Sequence, residues 1–236
     1  MKTRFRLAAP SCVLPDRVGP NCRALAPLVS EVALMFLETQ GCLAYDHDDL
    51  PADLSNLPLT YHMHLPDDLP WDGGGAAVSE TIRELDRKIA FLRPWGYVLH
   101  PPKPGCLTDL LRHCGHLAPQ LCLENTRHSD LTDIWNEISD NNVSVCLDIG
   151  HLVSYGQERL LELDGLYDRI RILHVYGGET GRGHQSLEEL PDPALLEHIM
   201  QRLTAPCVVV VEVFSMDRLE RSLSVLRSWM TFWGVL

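Results

Sequence analysis

The chain has 236 residues, 45% of them hydrophobic and 22% charged. That is enough for one sizeable core and close to the size of a small eight-stranded α/β barrel. The formal net charge is −12, from 32 acidic and 20 basic residues. A nucleic-acid partner is therefore not expected, because affinity for a polyanion comes from cationic contacts to phosphate. No apolar run approaches the roughly 18 residues of a membrane span.

The N-terminal residues lack the charged, apolar and cleavage-site order of a signal peptide. The eight cysteines form no C-x-x-C pair, and Cys122, Cys146 and Cys207 sit in apolar runs where Cys acts as a small buried hydrophobe. A reducing cytoplasm is the expected compartment. No Ser/Gly-rich or charge-rich linker divides the sequence, so one domain over residues 1–236 is expected. The Gly73-Gly74-Gly75 run reads as a loop.

In chain order, short apolar runs predict strands at Phe5–Ala9, Val32–Leu37, Leu59–Leu65, Tyr97–His100, Leu121–Glu124, Val143–Asp148, Ile170–Tyr176 and Cys207–Phe214. Each is aliphatic or β-branched and bounded by Pro, Gly, Asn or charged residues, as in strands buried on both faces. Helical spacing of apolar residues predicts helices at Ala76–Leu92, with Ser79 in the N-cap region, and at Leu107–Leu117, Asp130–Ser139 and Glu158–Tyr167. Two more are expected at Pro193–Leu203, where Pro191 and Pro193 fit a helix start, and at Met216–Trp229. The Asp-rich gap at His47–Asn56 leaves room for one helical turn or none. Trp229 and Trp233 are expected to be exposed. Strand and helix alternating in this way predict a single (β/α)8 TIM barrel.

In such a barrel the active site forms at the C-terminal ends of the strands. Here those ends carry His62 and His64, then His100, Glu124, Asp148 with His151, His174 with His184 downstream, and Glu212. Buried carboxylates are costly unless paired or metal-bound. Imidazole and carboxylate together suit zinc, manganese or iron, and one carboxylate such as Glu124 or Glu212 can bridge two ions. His62 and His64 share a strand face, so one is expected to be a ligand and the other a neighbour. The histidines at 47, 113, 116, 128 and 198 read as ordinary loop or helix residues.

The order H-L-P, strand-end His, L-E-N, L-D-I-G-H, H-V-Y-G, G-H-Q-S-L and V-E-V-F-S resembles the xylose-isomerase-like TIM barrels that include the apurinic-site endonucleases. The resemblance implies that His64, His100 and Glu124 hold a first metal. It implies that Glu124, Asp148, His174 and Glu212 hold a second, and that His151 and His184 serve a third. Arg182 stands where the family usually has Asp, so one or two divalent ions, zinc or manganese, are expected, with a weakened third site. A guanidinium at 182 could instead bind a phosphate oxygen.

More narrowly, Ala9-Pro10-Ser11, Leu59–Asp67, Leu147–Leu152, Gly183–Leu187 and Val211–Ser215 resemble the cobamide-remodelling phosphodiesterases of CbiR type. That likeness implies hydrolysis of the nucleotide-loop phosphodiester of a small-molecule corrinoid. Glu124, Asp148, Glu212 and Arg182 would then be catalytic, and Arg182, Lys103 or Arg127 would neutralise phosphate charge. A sugar isomerase or epimerase using Glu124, Asp148, His174 and Glu212 around one ion is the alternative, and a non-catalytic corrinoid- or metal-binding module is a third reading. The oligomeric state is left open.

Overall fold

The structure is a computed structural model that describes residues 4–181 and 183–235. Strands β1 (Phe5–Pro10), β2 (Glu31–Met35), β3 (Thr60–His64), β4 (Tyr97–Leu99), β5 (Leu121–Glu124), β6 (Ser144–Asp148) and β7 (Ile170–Val175) pair in parallel in chain order. Two short antiparallel strands follow, β8 (Glu179–Thr180) and β9 (Gly183–His184). Strand β10 (Cys207–Val211) then pairs with both β7 and β1 and closes an eight-stranded barrel. The sequence EVALM in β2 and CVVVV in β10 is buried throughout, as expected of strands covered on both faces.

Alternation along the strands sorts the residues into two cores. One face packs against the outer helices. The other fills the barrel with small and medium side chains, among them Ala8, Ala33, Val98, Cys122, Cys146, Ile172 and Val208. The helices are α1 (Val18–Leu25), α2 (Thr39–Leu43), α3 (Gly74–Ile89), α4 (Cys106–Cys114), α5 (Trp135–Asp140), α6 (Ile149–Tyr155), α7 (Leu166–Arg169), α8 (Pro193–Arg202) and α9 (Met216–Phe232). Asp192 caps α8 through the amides of Ala194 and Leu195, and Pro193 occupies its first turn, where a missing N–H costs nothing.

Several sequence expectations change. Ser79 lies buried inside α3, whose N-cap is Gly73. Gly74 and Gly75 begin that helix rather than form a loop. A Cβ on Gly75 would meet the backbone of Asp109 and Leu110 at 2.5 Å, so glycine there is what allows α3 and α4 to pack so closely. The helix expected at Leu107–Leu117 ends at Cys114, and a 3-10 turn containing Pro119 follows it. The segments 130–139 and 158–167 each break into a 3-10 turn and a short helix. Trp229 and Trp233 are half-buried against the core rather than exposed, with their ring centroids 5.7 Å apart. Among the described residues no helix is long and apolar enough to cross a membrane.

One irregularity sets up the site. The β6–β7 register shifts between Val145↔Ile170 and Cys146↔Ile172, so Arg171 has no partner in the ladder. Without that extra residue Asp148 would face Leu173; with it Asp148 pairs with His174. Paired residues in a ladder share a face, so the bulge turns His174 into the barrel.

Candidate metal centre

Two groups of donors meet at the C-terminal mouth. His64, His100 and Glu124 form one; Glu124, Asp148, His174 and Glu212 form the other, and within each group the donor atoms lie within 4.8 Å of one another. Glu124 belongs to both. Its Oε2 is 3.0 Å from His64 Nε2 and 3.4 Å from His100 Nε2, while its Oε1 is 2.9 Å from His174 Nδ1. His174 Nδ1 also lies 3.3 Å from Glu212 and 3.9 Å from Asp148. Glu124, Asp148, His174 and Glu212 are all at most 4% exposed.

The imidazoles are oriented from behind. His64 Nδ1 is 2.9 Å from the Leu65 carbonyl, His151 Nδ1 is 3.1 Å from that of Asn125, and His184 Nδ1 is 2.8 Å from that of Glu212. A carbonyl can only accept, so each Nδ1 donates and each Nε2 is the nitrogen left for a metal. His100 does the same through Asp67, 3.1 Å from its Nδ1. Metal-ligating histidines are held in this way, by an oxygen on the far nitrogen. Asn125 braces the floor: its side chain donates to the Asp148 carbonyl and to Gln157, and accepts from the Asp148 amide.

The electrostatics call for a cation. Burial would raise the Glu124 carboxyl, but His174, His100 and His64 hold it well below its usual range. Burial raises Asp148, and Glu124 and Glu212 add to the effect against the opposition of His151. Burial would lower His174, yet Cys146, Glu212 and Glu124 beside it raise it well above the usual imidazole value. His151 is likewise raised to about 9, because Asp148 outweighs its burial. Asp148 Oδ2 is buried, with His151 Nδ1 3.2 Å away but no well-aligned hydrogen bond. Three buried carboxylates converging with imidazole nitrogens are a donor set that fits zinc or manganese.

His151 and His184 flank this centre, each 13% exposed in its side chain. His151 is the third residue of α6, whose N-cap is Asp148. His184 lies in the β8–β9 hairpin rather than a plain loop. It stacks on Tyr176 at 3.8 Å with the rings parallel to 1°, and the Tyr176 ring fills the space that a Cβ on Gly150 would need. The sequence L-D-I-G-H thus needs its glycine for the ring of H-V-Y-G.

Sequence reasoning left His62 and His64 open; the structure assigns His64 to the donor group. His62 pairs with Glu31 at 2.7 Å near the opposite end of the barrel. Arg127 lines the cleft, Lys103 is exposed and outside its lining, and Arg182 lies outside the described residues. His128, read as an ordinary loop residue, lines the cleft as well. Reading the sequence missed Asp67, Glu179 and Glu31. Glu179 faces His151 Nε2 at 3.5 Å and binds Arg127 and Tyr155. These carboxylates come from loops or a strand start, and no periodicity marks them.

No family model matches the sequence, and no curated protein matches it. Solved structures do match its fold. Endonuclease IV from Thermus thermophilus is 15% identical, with a TM-score of 0.71 over 96% of this chain and 99% of that one. A D-tagatose 3-epimerase-like protein is 17% identical, with a TM-score of 0.67 over 97% and 98%. An IolI protein with a binding zinc atom is 11% identical, with a TM-score of 0.69 over 97% of both chains. The chain thus has the fold of the xylose-isomerase-like TIM barrels, with a buried carboxylate–imidazole cluster at the end of the barrel where that fold carries its chemistry.

Proposed function

We propose that the protein is a metal-dependent phosphodiesterase that hydrolyses the nucleotide-loop phosphodiester of cobamides, so that the lower ligand can be exchanged. The observation that carries the reading is Glu124, whose two oxygens serve two donor groups at once. Isomerisation around one ion needs only Glu124, Asp148, His174 and Glu212; His64 and His100 add a second position. Two adjacent ions suit in-line displacement at phosphorus, where the attacking and leaving oxygens both need charge neutralised. The cobamide assignment rests on the segments LTYHMHLPD, LDIGHL, GHQSL and VEVFS.

In this reading Glu124, Asp148 and Glu212 hold the ions together with His64, His100 and His174. A divalent ion, when bound, supplies a Lewis acid that withdraws charge from a phosphate oxygen. Hydrolysis forms a bond from water oxygen to phosphorus and breaks one ester P–O bond; water loses a proton and the leaving oxygen gains one. The guanidinium of Arg127 at the mouth neutralises a non-bridging oxygen, with Arg182 proposed for the same task. His151 and His184 line the same cleft and stand ready for a third ion. The open mouth leaves the bulk of a large substrate outside.

The test is incubation of the purified, metal-loaded protein with adenosylcobalamin, products followed by mass, with metal counted in parallel. Cleavage with two bound ions is expected, and Glu124→Gln should lose both ions while Glu212→Gln loses one. A single ion and turnover of a ketose or keto-sugar, with no cobamide cleaved, would establish the second reading, an epimerase. That reading has its own support: the four-residue group is complete without His64 and His100.

A further inference from the structure

The mouth of the cleft is two-sided. Leu37 follows β2 and Phe214 follows β10, so both sit beside β1; Arg127 follows β5, four strands round the closed barrel and therefore across from them. Leu37 is 46% exposed and Phe214 44% exposed, and both line the same cleft of about 350 Å³ as the metal-binding cluster. A single exposed apolar side chain is ordinary. Two of them on one side of a cleft lined elsewhere mainly by His, Asp, Glu and Arg form an apolar edge, a wall that stays open to solvent although the His184 ring packs on Phe214. On the far edge, Arg127 donates from Nε to Tyr155 at 3.0 Å and from a terminal nitrogen to Glu179. Tyr155 in turn donates to Glu179. Two of the five guanidinium N–H groups are thus used for positioning, and three are left for a ligand.

We infer that Leu37, Phe214 and Arg127 set specificity: the substrate is an anionic ester that carries an extended apolar body on one side of its phosphate. The apolar body covers Leu37 and Phe214 while Arg127 takes a phosphate oxygen from the opposite rim. A sugar offers no apolar face of that size, so the wall would be wasted on one. This inference rests on the phosphodiester reading for its ester, but the wall can be tested apart from it.

Two esters with one leaving group separate the effects: bis(4-nitrophenyl) phosphate, with an aromatic second arm, and methyl 4-nitrophenyl phosphate. The metal-loaded wild type should prefer the aromatic diester in kcat/KM. Leu37→Ala combined with Phe214→Ala should lower that preference about tenfold, mostly through KM, from the apolar area lost. Because Phe214 also packs on the His184 ring at 4.9 Å, Leu37→Ala is assayed alone too and should give part of the effect. Arg127→Gln should raise KM for both esters alike. An unchanged preference in the double variant overturns the inference. Should the wild type cleave neither ester with any divalent metal and leave adenosylcobalamin intact as well, the phosphodiester reading fails. With neither ester cleaved, equilibrium binding of 1-naphthyl phosphate decides the wall by itself: about tenfold weaker binding in the double variant supports it, and equal binding overturns it.

Discussion

At the scale of single residues, Gly150 is a position outside the donor set that leaves no room for a side chain. A Cβ there would lie 2.1 Å from the Tyr176 ring. The ring cannot withdraw freely, because it is fully buried and stacked on His184. Gly150→Ala is therefore expected to cost ~1–3 kcal/mol through overpacking and to tilt the His184 imidazole. Chemical denaturation measures the first effect and metal affinity the second. Unchanged stability would mean that the ring has room to move. The glycine in LDIGH is visible in the sequence but the tyrosine it accommodates is not, because the two are brought together only by the closure of β6 against β7. The donor residues were more legible: most are at or near a strand end, where apolar runs give way to a polar side chain. His62 and His64 could not be told apart by spacing, because both face inward and only depth in the barrel separates them.

At the scale of elements, the barrel interior holds a second polar cluster. Glu31, the first residue of β2, is fully buried and accepts from Trp95 at 2.6 Å, Thr60 at 2.8 Å and Arg6 at 3.1 Å, beside His62 at 2.7 Å. Burial would raise its carboxyl, but His62, Arg6 and Thr60 bring it below the ordinary value of 4.5. A depressed carboxylate adds stability above its unfolded pKa and loses it as pH falls through the folded one. Glu31→Gln should therefore cost ~2–4 kcal/mol at neutral pH, as expected when one partner of a buried pair is removed. The gap to wild type should stay constant down to about pH 5 and close below about pH 4. Urea melts of both proteins across that range check this, and a gap that widens on acidification contradicts it. Nothing in the sequence marked Glu31, because it stands just outside the apolar run that identified its strand. The strands themselves were legible because burial on both faces makes each a continuous apolar run. The outer helices were less so: Gly75 and Pro119 decide where they begin and end through contacts with other elements or through the ring's own geometry.

For the whole molecule, the metal centre joins the ends of β3, β4, β5, β6, β7 and β10, strands from most of the barrel's circumference. An ion bound there cross-links the chain from His64 to Glu212, and it binds the folded state alone. At a hundredfold excess over Kd such binding adds ~2.7 kcal/mol. For a chain of this length that is a rise in Tm of roughly 5–10 °C. Thermal melts with zinc or manganese against a chelator should show the difference, and it should vanish in Glu124→Gln. Equal melting temperatures in wild type would argue against any tight ion at this site.

The Glu31 cluster has a further consequence. It shuts the lower end of the barrel, while Cys122, Cys146 and Ile172 fill the space above it. The metal-binding cleft is therefore a blind well with one door. Substrate, water and both products of any cleavage share that opening, so nothing can leave by the back while the next molecule enters at the front. On the proposed hydrolytic reading, turnover should then be throttled by whichever product clings longer to the rim, and that product should act as a competitive inhibitor against fresh substrate.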